Sequence, residues 1–276
     1  MREIRQLLLD YFREHSAGQY QSAADGVARL AIERGLLKRA KEQFGDSYSY
    51  ALSSNDSIRL REAVRQEMWL LLGQGLLVFG SNESNPSWPW YRLTERGIAV
   101  AASQLPQPYD PDGFLAEFSR RNPSADPVIL AYLKEAVQAF NHGCPVAASV
   151  MIGAASEKAL LLLVDAFESA IQDSTRKAAF AKACGHFIHP KYRALKQRLD
   201  LMISAGTLPS PHKEYTVSEV PGVFELIRRQ RNEAGHPELY TGVDPDTVFL
   251  NLRVFVEYVR KVYDLINFLN VNGANW

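Results

Sequence analysis

An arginine and a histidine separated by four residues stand near the end of a predicted helix. Arg231 is followed directly by the polar residue Asn232, and His236 is the later partner. A guanidinium stays charged and can donate two parallel hydrogen bonds to phosphate oxygens. An imidazole titrates near neutrality, so it can take or give a proton during a reaction. These residue types therefore suit chemistry on a phosphodiester, where negative charge builds on the phosphate oxygens.

The elements around this pair are predicted to be helical. Apolar residues recur at helical spacing over residues 217–234. We expect Gly235 to form a left-handed C-terminal cap and Pro237 to prevent continuation of the helix. Arg231 should then lie near the helix end, with His236 just beyond it.

The second half of the chain reads as a bundle of four or five helices. Asp126 and Pro127 form an N-cap followed by a proline at the first helical position. The helix predicted at 145–171 is apolar nearly all round in its middle, so we expect other helices to bury it on several sides. Further helices are predicted at 175–185, 191–203 and 246–269, and a loop at 205–215.

The R-x-x-x-x-H spacing before the final helix resembles the HEPN family (higher eukaryotes and prokaryotes nucleotide-binding), over about residues 120–270. Residues 140–157 look like the helix pair that precedes the motif in that family. In nuclease members, the resemblance implies metal-independent RNA cleavage by attack of the 2′-hydroxyl, giving a 2′,3′-cyclic phosphate and a 5′-hydroxyl. It implies that Arg231 stabilises the transition state, that His236 transfers the proton, and that Asn232 orients the histidine or contacts the phosphate.

The resemblance also implies a homodimer through the helical domain. One chain supplies one such arginine and one such histidine, whereas the cleavage needs both an acid and a base. We expect a composite cleft built from Arg231, Asn232 and His236 of both chains. Glu157 lies in an apolar helix, where an unpaired carboxylate would be costly, so we expect Arg228 or Arg231 to pair with it.

In the first half of the chain, the spacing of apolar residues changes from that of helices to that of short strands. Three helices are predicted near 4–12, 22–35 and 56–73, followed by strands at 76–79 and 90–93 around a loop and a helix at 98–103. This order resembles a winged helix-turn-helix domain, and residues 90–97 look like the exit from its wing. In that family the third helix commonly enters the DNA major groove. The corresponding candidates for nucleic-acid contact are Arg59, Arg61 and Arg65.

The wing tip contains Glu83 and neither lysine nor arginine. The partner of this domain is therefore left open between DNA and protein. We predict a mainly α chain with a winged helix-turn-helix domain at 1–104, which has three helices plus a β-hairpin wing. A linker rich in turn residues follows at 105–124, with a short helix expected at 114–120, and then an all-α HEPN-like helical domain at 125–276.

Composition limits the remaining classes of protein. The 31 lysine and arginine residues balance 31 aspartate and glutamate residues, which excludes a strongly basic nucleic-acid coat but not a local patch.

Cys184, His186 and His189 are metal-ligand types at a spacing that matches no zinc pattern known to us. We predict no metal and no cofactor, and the usual phosphate-loop, dinucleotide, zinc-protease and nucleophile-elbow motifs are absent from the sequence.

The longest apolar run is too short for a membrane span, and the N-terminus lacks a signal-peptide core. We therefore expect a cytoplasmic protein without a membrane partner. The leading hypothesis is an endoribonuclease acting on an RNA substrate, by analogy a toxin or anti-phage defence effector. The alternatives are a non-catalytic HEPN dimerisation or sensor module fused to a DNA-binding regulator, an adaptor subunit of a defence complex, and an unrelated helical bundle.

Overall fold

The computed structural model describes residues 2–40, 48–102, 107–236, 238 and 242–276. The chain is mainly α, with 73% helix and 5% strand. It divides into two compact units, Met1–Gly113 and Phe114–Trp276.

The first unit combines helices with a small antiparallel sheet. Strand β3 lies in the centre, and its Arg92 pairs with Ala17 of β1 on one side and Val78 of β2 on the other. The sequence prediction lacked β1, because three residues around a glycine carry no alternating pattern. The elements in chain order are α1 (Arg2–Phe12), β1 (Ala17–Gln19), α2 (Tyr20–Glu33), a 3-10 turn (Tyr48–Ala51), α3 (Ser54–Gly73), β2 (Leu77–Phe79), β3 (Trp90–Leu93) and α4 (Glu95–Ala102).

Helix α3 begins slightly earlier than the sequence indicates. Ser53 is its N-cap, and the Ser53 hydroxyl accepts a hydrogen bond from the backbone N–H of Asp56 at 3.2 Å. The inward residues Val64 and Met68 are fully buried in the core of the unit. The chain leaves the helix at Gly75, where φ is +67°.

The exit from the predicted wing depends on a threonine and a glycine. The Thr94 hydroxyl accepts a hydrogen bond from the backbone N–H of Gly97 at 3.0 Å and donates one to the Gly75 carbonyl at 2.8 Å. A Cβ at Gly97 would lie 1.9 Å from the Leu76 carbonyl oxygen, so only glycine fits there. The two residues therefore hold the first turn of α4 against the end of α3.

The second unit is entirely helical in the residues described. Its elements are the end of α5 (Pro111–Arg121), α6 (Pro127–Asn141), α7 (Pro145–Ala170), α8 (Ser174–Cys184), α9 (Ile188–Ser204), the short α10 (His212–Glu214), a π-helical turn (Tyr215–Glu219), α11 (Val220–Gly235) and α12 (Pro245–Asn272). The Asp126 carboxylate accepts a hydrogen bond from the backbone N–H of Val128 at 2.8 Å, so the predicted N-cap of α6 is present. The predicted loop at 205–215 contains α10 instead of being wholly irregular.

The segment predicted as a linker contains a helix. In the described part of that segment, residues 107–124, helix α5 spans Pro111–Arg121, and Phe114 and Phe118 on it are buried. The Phe118 ring stacks on Phe255 of α12 with centroids 6.2 Å apart. The short helix expected at 114–120 is present and begins earlier, at Pro111, and its two phenylalanines at helical spacing are buried in the core of the second unit.

Helix α7 forms the centre of the second unit, where it packs against α6, α11 and α12. Among the described residues it is the one helix long and apolar enough to cross a membrane by length and composition. Half of its most apolar window is buried inside the unit. The expected burial on several sides is thus present.

Candidate functional site

Helix α11 positions Arg231 and Asn232 in its last turn and His236 at its end. The helix continues through Gly235, which does not adopt the predicted left-handed conformation. His236 is the C-cap, with an extended backbone at φ −111° and ψ 112°, and its N–H donates to the Asn232 carbonyl at 3.0 Å. The physical reason lies in the sequence: the residue before a proline avoids helical geometry, so His236 ends the helix without a glycine cap.

The Arg231 guanidinium is held from two sides. Its Nη1 donates to Asn232 Oδ1 at 3.0 Å, and its Nη2 lies 3.9 Å from Glu157 Oε2. The second distance is that of a loose ion pair rather than a hydrogen bond. The Arg231 side chain is 38% exposed. The guanidinium is therefore oriented, yet part of it faces solvent and can meet an anion.

The aliphatic stem of Arg231 lies directly on Gly153 of α7. A Cβ at Gly153 would stand 2.4 Å from Arg231 Cγ and 2.6 Å from Arg231 Cβ. Glycine at this position therefore permits α7 and α11 to approach closely where Arg231 lies. Gly153 and Glu157 are one helical turn apart on α7, so they lie on the same face of that helix. Gly153 supports the stem of Arg231, and Glu157 faces its guanidinium.

Of the two predicted partners for Glu157, the structure brings Arg231 to it and not Arg228. The Arg228 guanidinium instead pairs with Glu225 on its own helix at 2.8 Å. Residues three apart on a helix are neighbours, so this local pair forms without a second element. Arg228 therefore does not contribute to the arrangement around Glu157.

His236 is exposed, and its ring makes no hydrogen bond to any residue that the structure describes. The ring is thus accessible to a ligand from solvent. Its backbone is fixed by the Asn232 carbonyl, whereas its side chain is fixed by nothing within the described part of the chain.

A buried amide anchors the same end of α11 to α12. Asn251 is 1% exposed, and its Nδ2 donates to Gln230 Oε1, next to Arg231. Sequence reasoning missed both Gly153 and Asn251. The available signals were a glycine within a strongly helical segment and an asparagine within the apolar stripe of α12, each of which is costly without a packing role.

The three arginines predicted to contact nucleic acid lie on α3 in the first unit. Arg59 is exposed and lines a cleft of about 300 Å³ together with Asp56. Arg65 is exposed and pairs with Glu62 one turn earlier. Arg61 is half-buried, and its carbonyl accepts a hydrogen bond from the Tyr20 hydroxyl at 2.6 Å.

Within the described ranges, no group of three or more histidine, cysteine, aspartate or glutamate side chains could hold a metal ion. Cys184 is buried in α8, whereas His186 is exposed. His189 contacts Arg193 one turn further along α9. These three residues therefore have separate surroundings.

Comparison with known proteins gives no relative for this chain. No family model, no curated protein and no solved structure matches it. Its function is therefore inferred from the geometry at the end of α11 and from the resemblance of its sequence motifs.

Proposed function

We propose that this protein is a metal-independent endoribonuclease of the HEPN type, acting through Arg231, Asn232 and His236. The observation that supports this most is the presence, near one helix end, of both an oriented, partly exposed guanidinium and an exposed imidazole. Asn232 and Glu157 hold the guanidinium. His236 follows at the C-cap of the same helix.

The reaction requires only groups that RNA and these side chains supply. A base removes the proton of the 2′-hydroxyl while the 2′-oxygen forms a bond to phosphorus. The bond from phosphorus to the 5′-oxygen breaks, and an acid returns a proton to that oxygen. The products are a 2′,3′-cyclic phosphate and a 5′-hydroxyl. His236 serves as the base or the acid, and Arg231 stabilises the charge on the phosphate oxygens.

One histidine cannot be unprotonated and protonated at the same moment, so a single chain offers the base or the acid but not both. We therefore include a homodimer in the proposal, formed through the second unit, with the two α11 ends facing one RNA strand. Asn232 has a fixed role here: its side-chain oxygen accepts from Arg231 and so limits the directions the guanidinium can take.

The first unit fits the proposed winged helix-turn-helix assignment. Its order of α1, β1, α2, α3, β2 and β3, with β3 central in the sheet, supports that resemblance. Because such domains bind DNA or proteins, the first unit would be a sensor or a positioning surface for the nuclease. A role in toxin or anti-phage defence systems follows by analogy with the family.

The proposal is tested by incubating the full-length protein with RNA in EDTA. Wild-type protein should cleave and leave a cyclic phosphate, while Arg231→Ala and His236→Ala should each slow cleavage by about 10²-fold or more. Arg229→Ala and His186→Ala are matched controls, because both side chains are exposed and lie outside the proposed site. Equal rates in all four variants would exclude the proposed roles.

The packing of Arg231 on Gly153 and its ion pair with Glu157 favour a second candidate, a non-catalytic HEPN module. In that case Arg231 is a structural residue that joins α7 to α11. Purified wild-type protein would then leave RNA intact, and Arg231→Ala would lower stability only. The same pair of measurements, cleavage and unfolding, separates the two candidates.

A further inference from the structure

Four aromatic side chains of the first unit lie in contact, one after another. Trp69 of α3 meets Phe79 of β2 with ring centroids 4.6 Å apart, and Phe79 meets Trp88 at 5.1 Å. Trp88 meets Tyr20, the first residue of α2, at 4.9 Å. We call these four residues the aromatic row. It crosses from α3 over the predicted wing and returns toward α3, because the Tyr20 hydroxyl donates to the Arg61 carbonyl.

The members of the row differ in exposure. Phe79, Trp88 and Tyr20 are half-buried, and they pack the wing against the helices. Trp69 is 53% exposed although its ring contacts Phe79 in a T-shaped arrangement. Packing of the wing does not require this much of an indole to remain in water, since burying it would be favourable. The row thus offers one large aromatic side chain, packed against Phe79, to solvent.

Positive charge borders this face. Arg65 lies one helical turn before Trp69 on the exposed side of α3, paired with Glu62 at the surface. Burial raises the pKa of the Tyr20 hydroxyl, and nearby Arg65 and Arg61 oppose that rise while Glu62 adds to it. A surface ion pair such as that between Arg65 and Glu62 is weak, so an incoming phosphate can compete for the guanidinium.

The exposed arginine of the sheet does not belong to this margin. Arg92 of β3 pairs with Val78 of β2, and the alternation of side chains along a strand places both on the sheet face opposite to Phe79. The positive charge beside the aromatic row therefore comes from Arg65 on α3. A stacking surface combined with a cationic margin is the arrangement that binds a nucleic acid whose bases are free.

We propose that the aromatic row, with Arg65, binds single-stranded nucleic acid, with a base stacking on Trp69. Every base has an aromatic face, so this surface tolerates different sequences, while a duplex hides the faces that it needs. The inference goes beyond the nuclease proposal, because it concerns the first unit and a binding step that needs neither Arg231 nor His236.

The test measures binding by full-length protein carrying His236→Ala, so that RNA stays intact. The probes are a fluorescent oligouridylate and the matching oligothymidylate, each roughly ten nucleotides long, and a duplex of the same length. Both single strands should bind more tightly than the duplex. Preference for the RNA or the DNA strand identifies which is the natural ligand. Trp69→Ala should weaken binding about tenfold, whereas Trp69→Phe should keep most of it because a ring remains.

Leu70→Ala is the matched control, because Leu70 is 52% exposed on the same helix but makes no part of the row. Circular dichroism and the unfolding midpoint verify that each variant is folded. The proposal is overturned by unchanged binding in Trp69→Ala, by equal weakening in Leu70→Ala, or by a preference for the duplex. A change of oligomeric state in Trp69→Ala with unchanged affinity would also overturn it and assign the face to protein contact. Absence of RNA cleavage by the wild-type protein would refute the nuclease proposal but would leave these binding results unchanged.

Discussion

Replacing Gly153 with alanine is the sharpest perturbation of the α11 site, since one methyl group tests the contact on which Arg231 lies. The new Cβ would stand 2.6 Å from Arg231 Cβ and 2.4 Å from Arg231 Cγ. Carbon atoms in contact prefer separations of about 3.5–4.0 Å. The Cγ can rotate away, but the Cβ is fixed to the backbone of α11, so the two helices must move apart by about 1 Å.

The expected net effect follows from two opposing contributions. Overpacking of a well-packed interface costs about 1–3 kcal/mol. Alanine in place of glycine within a helix returns about 0.5–1 kcal/mol, because the unfolded chain loses conformational freedom. We therefore expect Gly153→Ala to lower the free energy of unfolding by about 1–2 kcal/mol. Where the proposed cleavage is present, a displacement of about 1 Å can slow it by about 10²-fold.

Urea unfolding of the full-length protein measures the first effect, with Gly222→Ala as the matched control. Gly222 also lies in a helix of the second unit, α11, and a Cβ there meets nothing within 4 Å. This control should be stabilised by about 0.5–1 kcal/mol. Both variants carry the same chemical change, so their difference isolates the contact with Arg231.

A double-mutant cycle decides whether Arg231 is the cause. The cost of Gly153→Ala should largely disappear in the Arg231→Gly background, which lacks both the Cβ and the Cγ, whereas most of it should remain in the Arg231→Ala background, which keeps the Cβ. The reasoning about the α7–α11 contact is refuted if Gly153→Ala is as stable as Gly222→Ala, or if Gly153→Ala costs as much in the Arg231→Gly background as in the wild type.

Three further predictions concern buried polar groups. Arg5→Met should destabilise the first unit by about 3–5 kcal/mol, because it leaves the buried carboxylates of Glu67 and Asp110 without the guanidinium they contact at 2.7 and 3.0 Å, and a loss below 1 kcal/mol in urea unfolding would contradict this. Burial raises the pKa of Glu67 above its ordinary value of 4.5, with Arg5 opposing the shift. The folded state therefore favours the protonated form of Glu67. The stability that this preference contributes is complete below pH 4.5 and is lost as the pH rises through the raised pKa, so Glu67→Gln should flatten that part of the curve of stability against pH. Tyr258→Phe should cost about 0.5–1.5 kcal/mol, since the fully buried hydroxyl donates to the Ser156 carbonyl, and a neutral result would show that this bond contributes nothing.

The helices of the second unit follow directly from local signals in the sequence. The proline after Asp126 marks the start of α6, and the all-round apolar character of α7 indicates a central helix. The end of α11 shows where two local signals compete. Gly235 favours a left-handed cap, but Pro237 constrains His236, and the constraint from proline decides the backbone at that residue.

Features that depend on distant partners could not be predicted in this way. Strand β1 has no pattern of its own, and it exists because β3 offers an open edge. Arg5 stands next to the apolar residues of α1 and would ordinarily face solvent. It is buried because α3 supplies Glu67 and the chain before α5 supplies Asp110 as ion-pair partners. The spacing of residues along the chain does not indicate these contacts.

The candidate site itself combines a fixed cation with an unrestrained ring. Gly153 supports the stem of Arg231, and Asn232 and Glu157 hold its head, so the position of the guanidinium is set within one chain. His236 follows the last helical hydrogen bond, and no side chain in the described ranges holds its ring. Proton transfer needs the imidazole within hydrogen-bond distance of a reacting oxygen. For the proposed nuclease, bound RNA or a second copy of the chain would supply the restraint that no described side chain gives to His236, and the second copy would also supply the acid or base that a single histidine lacks.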